Sequence, residues 1–414
     1  MKIVHLIQRY PPAIGGCEQW CQQVSRYLVS QGCSVKILTL RLYHEEEFFE
    51  DFPPDPNRPP LGAIDNDNGI SVYRYQRTKV HPLLQHFFIQ NLLDRKLGIY
   101  FYGPHSIRMY LDIPRQIRDA DVVHLHGMHY PHNFIGYFWA RRLRKKVVMT
   151  PHFHPGHPFY ERETHYWLLK KCDAVLTVTE LEKEHLAKGG VAAEKIFTLG
   201  NSIDPREYHP VGLQAYRENI SQKYHLGEDE KIVTFLGRRV RYKGIEFLVD
   251  AIFRLNQSGR KVRLFMIGPS LKWFDDYYRE LDNTRKKNLV DFGIVTHPEK
   301  VNLLHLSDVV ALPSQYEAFG IVFLEAWVCG KPVIGTDQGA MAQIIEGAGV
   351  KVAYQDVEGL VGAIQYLLSH SIEAKALVER GKRKLMTSYT TEIIGKQVLE
   401  ILNIVKNRNQ FCFC

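Results

Sequence analysis

Two carboxylates, Glu317 and Glu325, bracket the apolar run Ala318-Phe319-Gly320-Ile321-Val322-Phe323-Leu324. A buried carboxylate is costly unless a neighbour satisfies it, so their retention there needs a chemical reason. Upstream, Gly237-Arg238-Arg239-Val240-Arg241-Tyr242-Lys243-Gly244 sets four cations between two glycines directly after another apolar run. Guanidinium forks and an ammonium point charge are the groups that hold phosphate oxygens, although four cannot all face one ligand. Carboxylates are poor partners for phosphate and good ones for vicinal hydroxyls. A ligand with a sugar and a ribose flanking a diphosphate would engage both sets, the acids reading hydroxyls and the cations the phosphates between them.

The elements around these residues must present them together. The run 308–314 reads as a strand, the chain turns through Gln315-Tyr316-Glu317-Ala318, and a helix should begin near Phe319 or Gly320. Its free amides would form an anion site, with Glu317 just before it and Glu325 about one and a half turns inside. Gly320 removes the Cβ where a ligand would approach the backbone.

Short apolar runs alternate with helical segments along the whole chain. Strand candidates are 2–8, 34–40, 70–75, 121–127, 146–150, 174–179 and 195–200, then 231–237, 262–268, 290–294, 308–314 and 332–336. Continuous rather than alternating hydrophobicity predicts parallel strands covered on both faces, hence an α/β chain of two doubly wound units. The turn- and proline-rich stretch 201–214 is the candidate connection between them. At 414 residues, two domains are the expectation on length as well.

Composition narrows the partners. Net charge is +8, from 53 basic and 45 acidic residues, which suits anionic ligands, but no nucleic-acid motif accompanies it. The basic run Arg141–Lys146 reads as the solvated end of a helix, with anionic headgroups as its alternative partner. Residues 52–60 carry five prolines and read as an irregular loop. Residues 83–111 are unusually aromatic and read as sheet-packing, with a membrane-facing role as the alternative. Seven scattered cysteines, no apolar run of spanning length and no secretory-type start predict reduced thiols in a cytoplasmic protein.

Gly237-Arg238, Lys243-Gly244 and EAFGIVFLEAWVCGKPVIGT (317–336), with Tyr10–Gly16, DVVHLHG (121–127) and Asn201–Asp204, resemble the retaining glycosyltransferases of GT-B architecture, family four. The resemblance covers nearly the whole chain. It implies two Rossmann-like domains facing a cleft: residues 1–207, to which the last helix, about 390–414, would return, and the nucleotide-sugar domain 208–389. It implies transfer from a UDP- or GDP-sugar to a glycan or lipid-linked acceptor, with no cofactor and no metal. Arg238 and Lys243 would bind the diphosphate, and Glu317 the transferred sugar, with the amides of Ala318, Phe319, Gly320 and Ile321. Glu325 would hold the ribose, the stretch at Ile294 and Val295 the base. Gly16 would let the first domain approach the phosphates. His126 would stand beside the reacting sugar and His152 on the acceptor side. Ser202, where Gly is common, and Trp327 and Cys329, where small residues or Met are usual, depart from the family and should affect packing or a turn rather than the donor ligands. A nucleotide-sugar epimerase of the same fold and an inactive nucleotide-sugar-binding scaffold are the alternatives.

Two clusters could argue for a metal. His124, His126, His129 and His132 are followed by His152, His154 and His157, and on a strand His124 and His126 face the same way. No carboxylate that would orient such ligands is evident nearby. Asp65-Asn66-Asp67 has the spacing of metal-dependent transferases of another fold, but its turn-rich surroundings read as a β-turn.

Overall fold

The computed structural model of the chain describes residues 1–43, 47, 61–78, 103–157 and 160–408. The proline-rich stretch 52–60, most of the aromatic segment 83–111, and Cys412 and Cys414 lie outside the described residues. The chain divides into two compact units, Met1–Asn201 with Thr391–Cys414, and Ser202–Thr390.

The first unit is built on an eight-stranded sheet in the order β3-β4-β2-β1-β5-β6-β7-β8. Its strands are β1 (Lys2–Leu6), β2 (Ser34–Leu40), β3 (Ile64–Asp67), β4 (Ile70–Tyr75), β5 (Val122–His126), β6 (Lys146–Thr150), β7 (Ala174–Thr177) and β8 (Ile196–Thr198). Every pairing is parallel except β3 with β4. Alternate residues of the strands serve two cores. Val4, Leu6, Val123 and Leu125 pack with Met109 and Ile113 of the helix Ile107–Gln116 and with Ala140 of the helix Pro131–Arg142. Ile3, Ile37 and Val122 pack with Trp20, Val24 and Leu28 of the helix Gly16–Ser30 and with Ile394, Val398, Leu402 and Val405 of the last helix, Thr391–Asn407.

The second unit holds six parallel strands in the order β11-β10-β9-β12-β13-β14. They are β9 (Lys231–Leu236), β10 (Val262–Ile267), β11 (Leu289–Gly293), β12 (Val309–Leu312), β13 (Val333–Thr336) and β14 (Val350–Val352). Strand order reverses at β1 in the first sheet and at β9 in the second. In sheets of this kind, ligands bind beyond the carboxyl ends of the strands at that reversal. The two reversals therefore select the loops after β1 and β5, and after β9 and β12.

Two strands go beyond the sequence reading, and one corrects it. Asp65, Asn66 and Asp67 are not a turn but the body of β3, paired antiparallel to β4. The turn is Asn68-Gly69, with φ of 50° and 89°. Polar side chains on an edge strand hid it, since no hydrophobic alternation marks β3. β14 is three residues long and carries too little apolar sequence to stand out. The run Arg141–Lys146 is also less solvated than expected. Arg141 pairs with Asp173 at 2.8 Å and lies over the Tyr137 ring, and Lys146 opens β6.

Trp327 shows how the chain makes room for a bulky ring inside a buried helix. Its ring is fully buried, donates from Nε1 to Ala348 O at 3.2 Å, and lies so close to Gly381 that a Cβ there would come within 2.4 Å of it. Gly381→Ala should destabilise the protein by about 1–3 kcal/mol in denaturant unfolding, as overpacked cores do. Adding Trp327→Leu to the same chain should recover most of the loss. No recovery would mean that the ring is not what Gly381 makes room for.

Candidate functional site

The loops at the second reversal are the two stretches that the sequence singled out, and backbone contacts tie them together. Gln315 N donates to Tyr242 O at 2.6 Å, and Ser314 Oγ donates to the same carbonyl at 3.2 Å. Gly244, at φ 65°, passes so close to β12 that a Cβ would stand 2.3 Å from Pro313 O. Glycine is thus required there by both backbone conformation and space. Held this way, Lys243 Nζ lies 2.7 Å from Glu317 Oε1, with both side chains 13% exposed. Oε1 nevertheless makes no well-aligned hydrogen bond among the described residues. The contact is one of charge, and leaves acceptor capacity on the carboxylate.

Of the four cations, Arg239 turns inward. Its guanidinium binds Asp291 at 2.6 Å and Gly268 O at 2.8 Å, and lies over the Phe274 ring. Arg241 stacks on Trp273. Arg238, half-buried and 3.4 Å from Tyr242 Oη, stays with Lys243 at the loop. The helix after the second loop runs Ile321–Val328, with Gly320 as N-cap at φ 90°. Phe319 buries its ring against Tyr389, so its contribution to any ligand is its backbone. Inside that helix Glu325 is 3% exposed. Tyr208 Oη donates to its Oε1 at 2.8 Å and Lys300 Nζ at 2.6 Å. Both contacts fall on Oε1, and Oε2 has no hydrogen bond among the described residues. Ile294 and Val295 lie just past β11 and lead into the helix His297–Leu306, which carries Lys300. Tyr208 and Lys300 were not foreseen. Each reaches Glu325 from a distant part of the chain, and neither has a sequence pattern of its own.

At the first reversal the histidines gather. His5 and His124 are direct partners across β1 and β5, and His126 is the last residue of β5. His5 Nδ1 and His126 Nε2 are 2.9 Å apart, His124 Nε2 bonds Thr150 Oγ1 at 2.8 Å, and the His124 and His126 rings stack at 4.3 Å. Trp20 packs edge-on against His124 and His152. Burial, with the neighbouring imidazoles, pulls His126 far below the usual histidine range, so its ring is neutral at physiological pH. A neutral imidazole can share a hydrogen bond with a sugar hydroxyl without adding charge. His152 holds a left-handed conformation, φ 49°. In front of Gly16 the space is open, whereas a Cβ on Gly15 would strike the Glu18 carboxylate. His5 and Trp20 escaped the sequence reading, because only strand pairing brings them to His126. The Asp-x-Asp acids are committed to structure. Asp65 pairs with Arg74 at 2.6 Å, and Asp67 takes bonds from Tyr10, Gln22 and Arg26 at 2.8 Å each.

The loop after β6 is fastened by Glu182, a buried acid that accepts from Phe153 N at 3.0 Å and Val178 N at 2.6 Å. Burial pushes its carboxyl up to about 8 from the ordinary 4.5. The folded chain then holds a proton that the unfolded chain releases, so this group's stabilisation is full at acid pH and is lost as pH rises through about 8. In Glu182→Gln the fall of melting temperature with pH across that window should flatten. An unchanged slope would place the titration elsewhere.

With this geometry in view, comparisons with known proteins converge. The family model described as Glycosyltransferase Family 4 matches residues 14–207, and Glycosyl transferases group 1 matches residues 216–384. An uncharacterized glycosyltransferase of Methanocaldococcus jannaschii is 25% identical over 98% of each chain. A GDP-mannose-dependent monoacylated alpha-(1-6)-phosphatidylinositol monomannoside mannosyltransferase of Corynebacterium glutamicum is 24% identical over 49% of this chain and 55% of its own. Among solved structures, Anabaena Alr3699/HepE, crystallised with UDP and glucose, superposes with a TM-score of 0.74 at 17% identity, over 98% of this chain and all of that one. The fold is GT-B, two Rossmann-like domains on parallel sheets.

Proposed function

Since the chain belongs to the family 4, group 1 glycosyltransferases, we propose that its second unit binds a UDP- or GDP-sugar and that the enzyme passes the sugar, with retained anomeric configuration and without a metal, to a hydroxyl of a glycan or lipid-linked acceptor. One observation carries this reading: a cation and an acid, Lys243 and Glu317, meet 2.7 Å apart beside the helix N-terminus at Gly320. Phosphate oxygens would take the ammonium and the helix amides, and sugar hydroxyls the carboxylate.

The chemistry follows from where charge develops. As the glycosyl–phosphate bond breaks, the sugar becomes oxocarbenium-like and negative charge collects on the departing diphosphate. Arg238, Lys243 and the amides of Ala318 to Ile321 stabilise that charge, the role a divalent ion fills in other transferases. Glu317 fixes the sugar, Glu325 Oε2 takes the ribose hydroxyls, and the stretch at Ile294 and Val295 meets the base. Gly16 keeps the space before the first helix of its own unit open to a ligand. His126 hydrogen-bonds the reacting sugar, and His152 stands on the acceptor side. Melting-temperature shifts with UDP, GDP, ADP and their sugars test donor binding, because a ligand held only by the folded chain stabilises it by mass action. NMR of the product's anomeric proton, with and without chelator, tests retention and metal independence. No stabilisation by any nucleotide would remove the donor assignment.

A lipid-linked acceptor and peripheral contact with the cytoplasmic face of a membrane extend the proposal. No helix among the described residues is long and apolar enough to cross a membrane. The helix Ile107–Gln116 turns Ile107, Arg108, Leu111 and Arg115 to solvent, with Leu111 76% exposed, and Arg118 continues the stripe. Exposed Phe138 and Trp167 lie on neighbouring elements, Trp167 edge-on to Tyr137. Apolar side chains amid arginines suit an anionic lipid surface. The protein should float with vesicles containing anionic lipid and lose that association in Leu111→Asp. Equal flotation of the variant would count against this face.

A further inference from the structure

Two of the histidines given roles in sugar transfer also belong to a second donor set, completed by a cysteine. Cys17, in the first turn of the helix Gly16–Ser30, stands with His126 and His152 so that one ligand atom of each lies within 4.8 Å of the other two. His126 Nδ1 and His152 Nε2 are buried and have no hydrogen bond among the described residues. The other nitrogen of His126 is already held by His5, the arrangement in which an outer imidazole orients an inner ligand. His5 and His124 also converge on His126 within that distance, and each keeps one buried nitrogen without a hydrogen bond among the described residues, but that set offers imidazoles alone, whereas the set with Cys17 adds a thiolate.

A thiol and two imidazoles, with no carboxylate among them, match a borderline-soft ion of tetrahedral preference and not magnesium or calcium. We propose that Cys17, His126 and His152 bind one zinc-type divalent cation, leaving a fourth position open, and that the bound ion inhibits sugar transfer by occupying His126. Binding exchanges the thiol proton of Cys17, released to solvent, for a metal–sulfur bond. The binding half stands on geometry alone. The inhibitory half rests on the role given to His126 above.

The test uses the full chain with Cys412→Ser and Cys414→Ser, so that the C-terminal thiols do not compete. Calorimetric titration should find one Zn²⁺ per chain, and Co²⁺ should give a thiolate-to-metal charge-transfer band in the near ultraviolet. Cys17→Ser should abolish the band and weaken Zn²⁺ binding by about tenfold or more, while melting without metal as the parent does. Cys17→Ala serves if the serine variant misfolds. Absence of stoichiometric uptake, or a band that survives loss of Cys17, would overturn the site. With a working donor, one equivalent of Zn²⁺ should cut turnover about tenfold in the parent and not in Cys17→Ser, and chelator should reverse it. Zinc that binds without slowing turnover overturns the inhibitory half. Failure to transfer from any nucleotide sugar strikes the transferase reading and leaves the titration to decide the metal by itself.

Discussion

Lys243→Met should lower kcat by about two to three orders of magnitude with a much smaller change in KM for the donor. In the proposed site the ammonium would contact a diphosphate that is already anionic when bound but gains charge as the glycosyl–phosphate bond opens, so the interaction would be worth more in the transition state than before it. Removing one preorganised donor to a developing oxyanion costs about 10²–10³ in rate. Lys243→Arg keeps the charge but spreads it over a planar fork, and should restore only part of the loss. A structural complication needs a control. Glu317 is 13% exposed and would be left without its counter-charge. Lys243→Met with Glu317→Gln relieves that repulsion of charge from the interior and should melt near the parent while staying inactive. A kcat within a few-fold of the parent in well-folded Lys243→Met would remove Lys243 from the chemistry.

The second large effect is on folding and binding together. Lys300 and Glu325 form an ion pair at 2.6 Å with the carboxylate 3% exposed. Breaking such a pair from one side strands a charge away from water, and Lys300→Met should cost about 3 kcal/mol or more. Lys300→Met with Glu325→Gln should recover most of that stability, since the amide still accepts from Tyr208 and carries no charge. The donor nucleotide should separate the two roles. If Glu325 Oε2 holds the ribose, UDP or GDP binding stays weak, by about tenfold or more, in the stable double variant, because a charged acceptor is lost. Recovery of affinity along with stability would make Glu325 a structural acid only.

What the sequence disclosed and what it withheld divide along a physical line. Parallel strands buried on both faces announce themselves as continuous apolar runs, so most of β1 to β13 was legible to within a few residues. The loops after β9 and β12 were legible too, because four cations between two glycines and two acids bracketing an apolar run stand out against the surrounding strands and helices. The polar edge strand β3 was misread, since its neighbour's Asn-Gly turn was the louder signal. Direction was also hidden. Arg238 and Arg239 are adjacent, yet one stays at the loop and the other turns in to Asp291 on another strand. Lys300, Tyr208, His5 and Trp20 were invisible for the same reason, their meaning being fixed by partners far along the chain.

The last helix carries a consequence for biosynthesis. Residues 202–390 form a continuous stretch that can complete its own core while still attached to the ribosome, whereas the first unit closes Trp20, Val24 and Leu28 against residues 394–405. The segment made first must therefore wait, one apolar face uncovered, until nearly four hundred residues have been polymerised. Chains released early, with a stop codon near position 390, should emerge sticky and depend on chaperones, even though every residue of the loops after β9 and β12 is present.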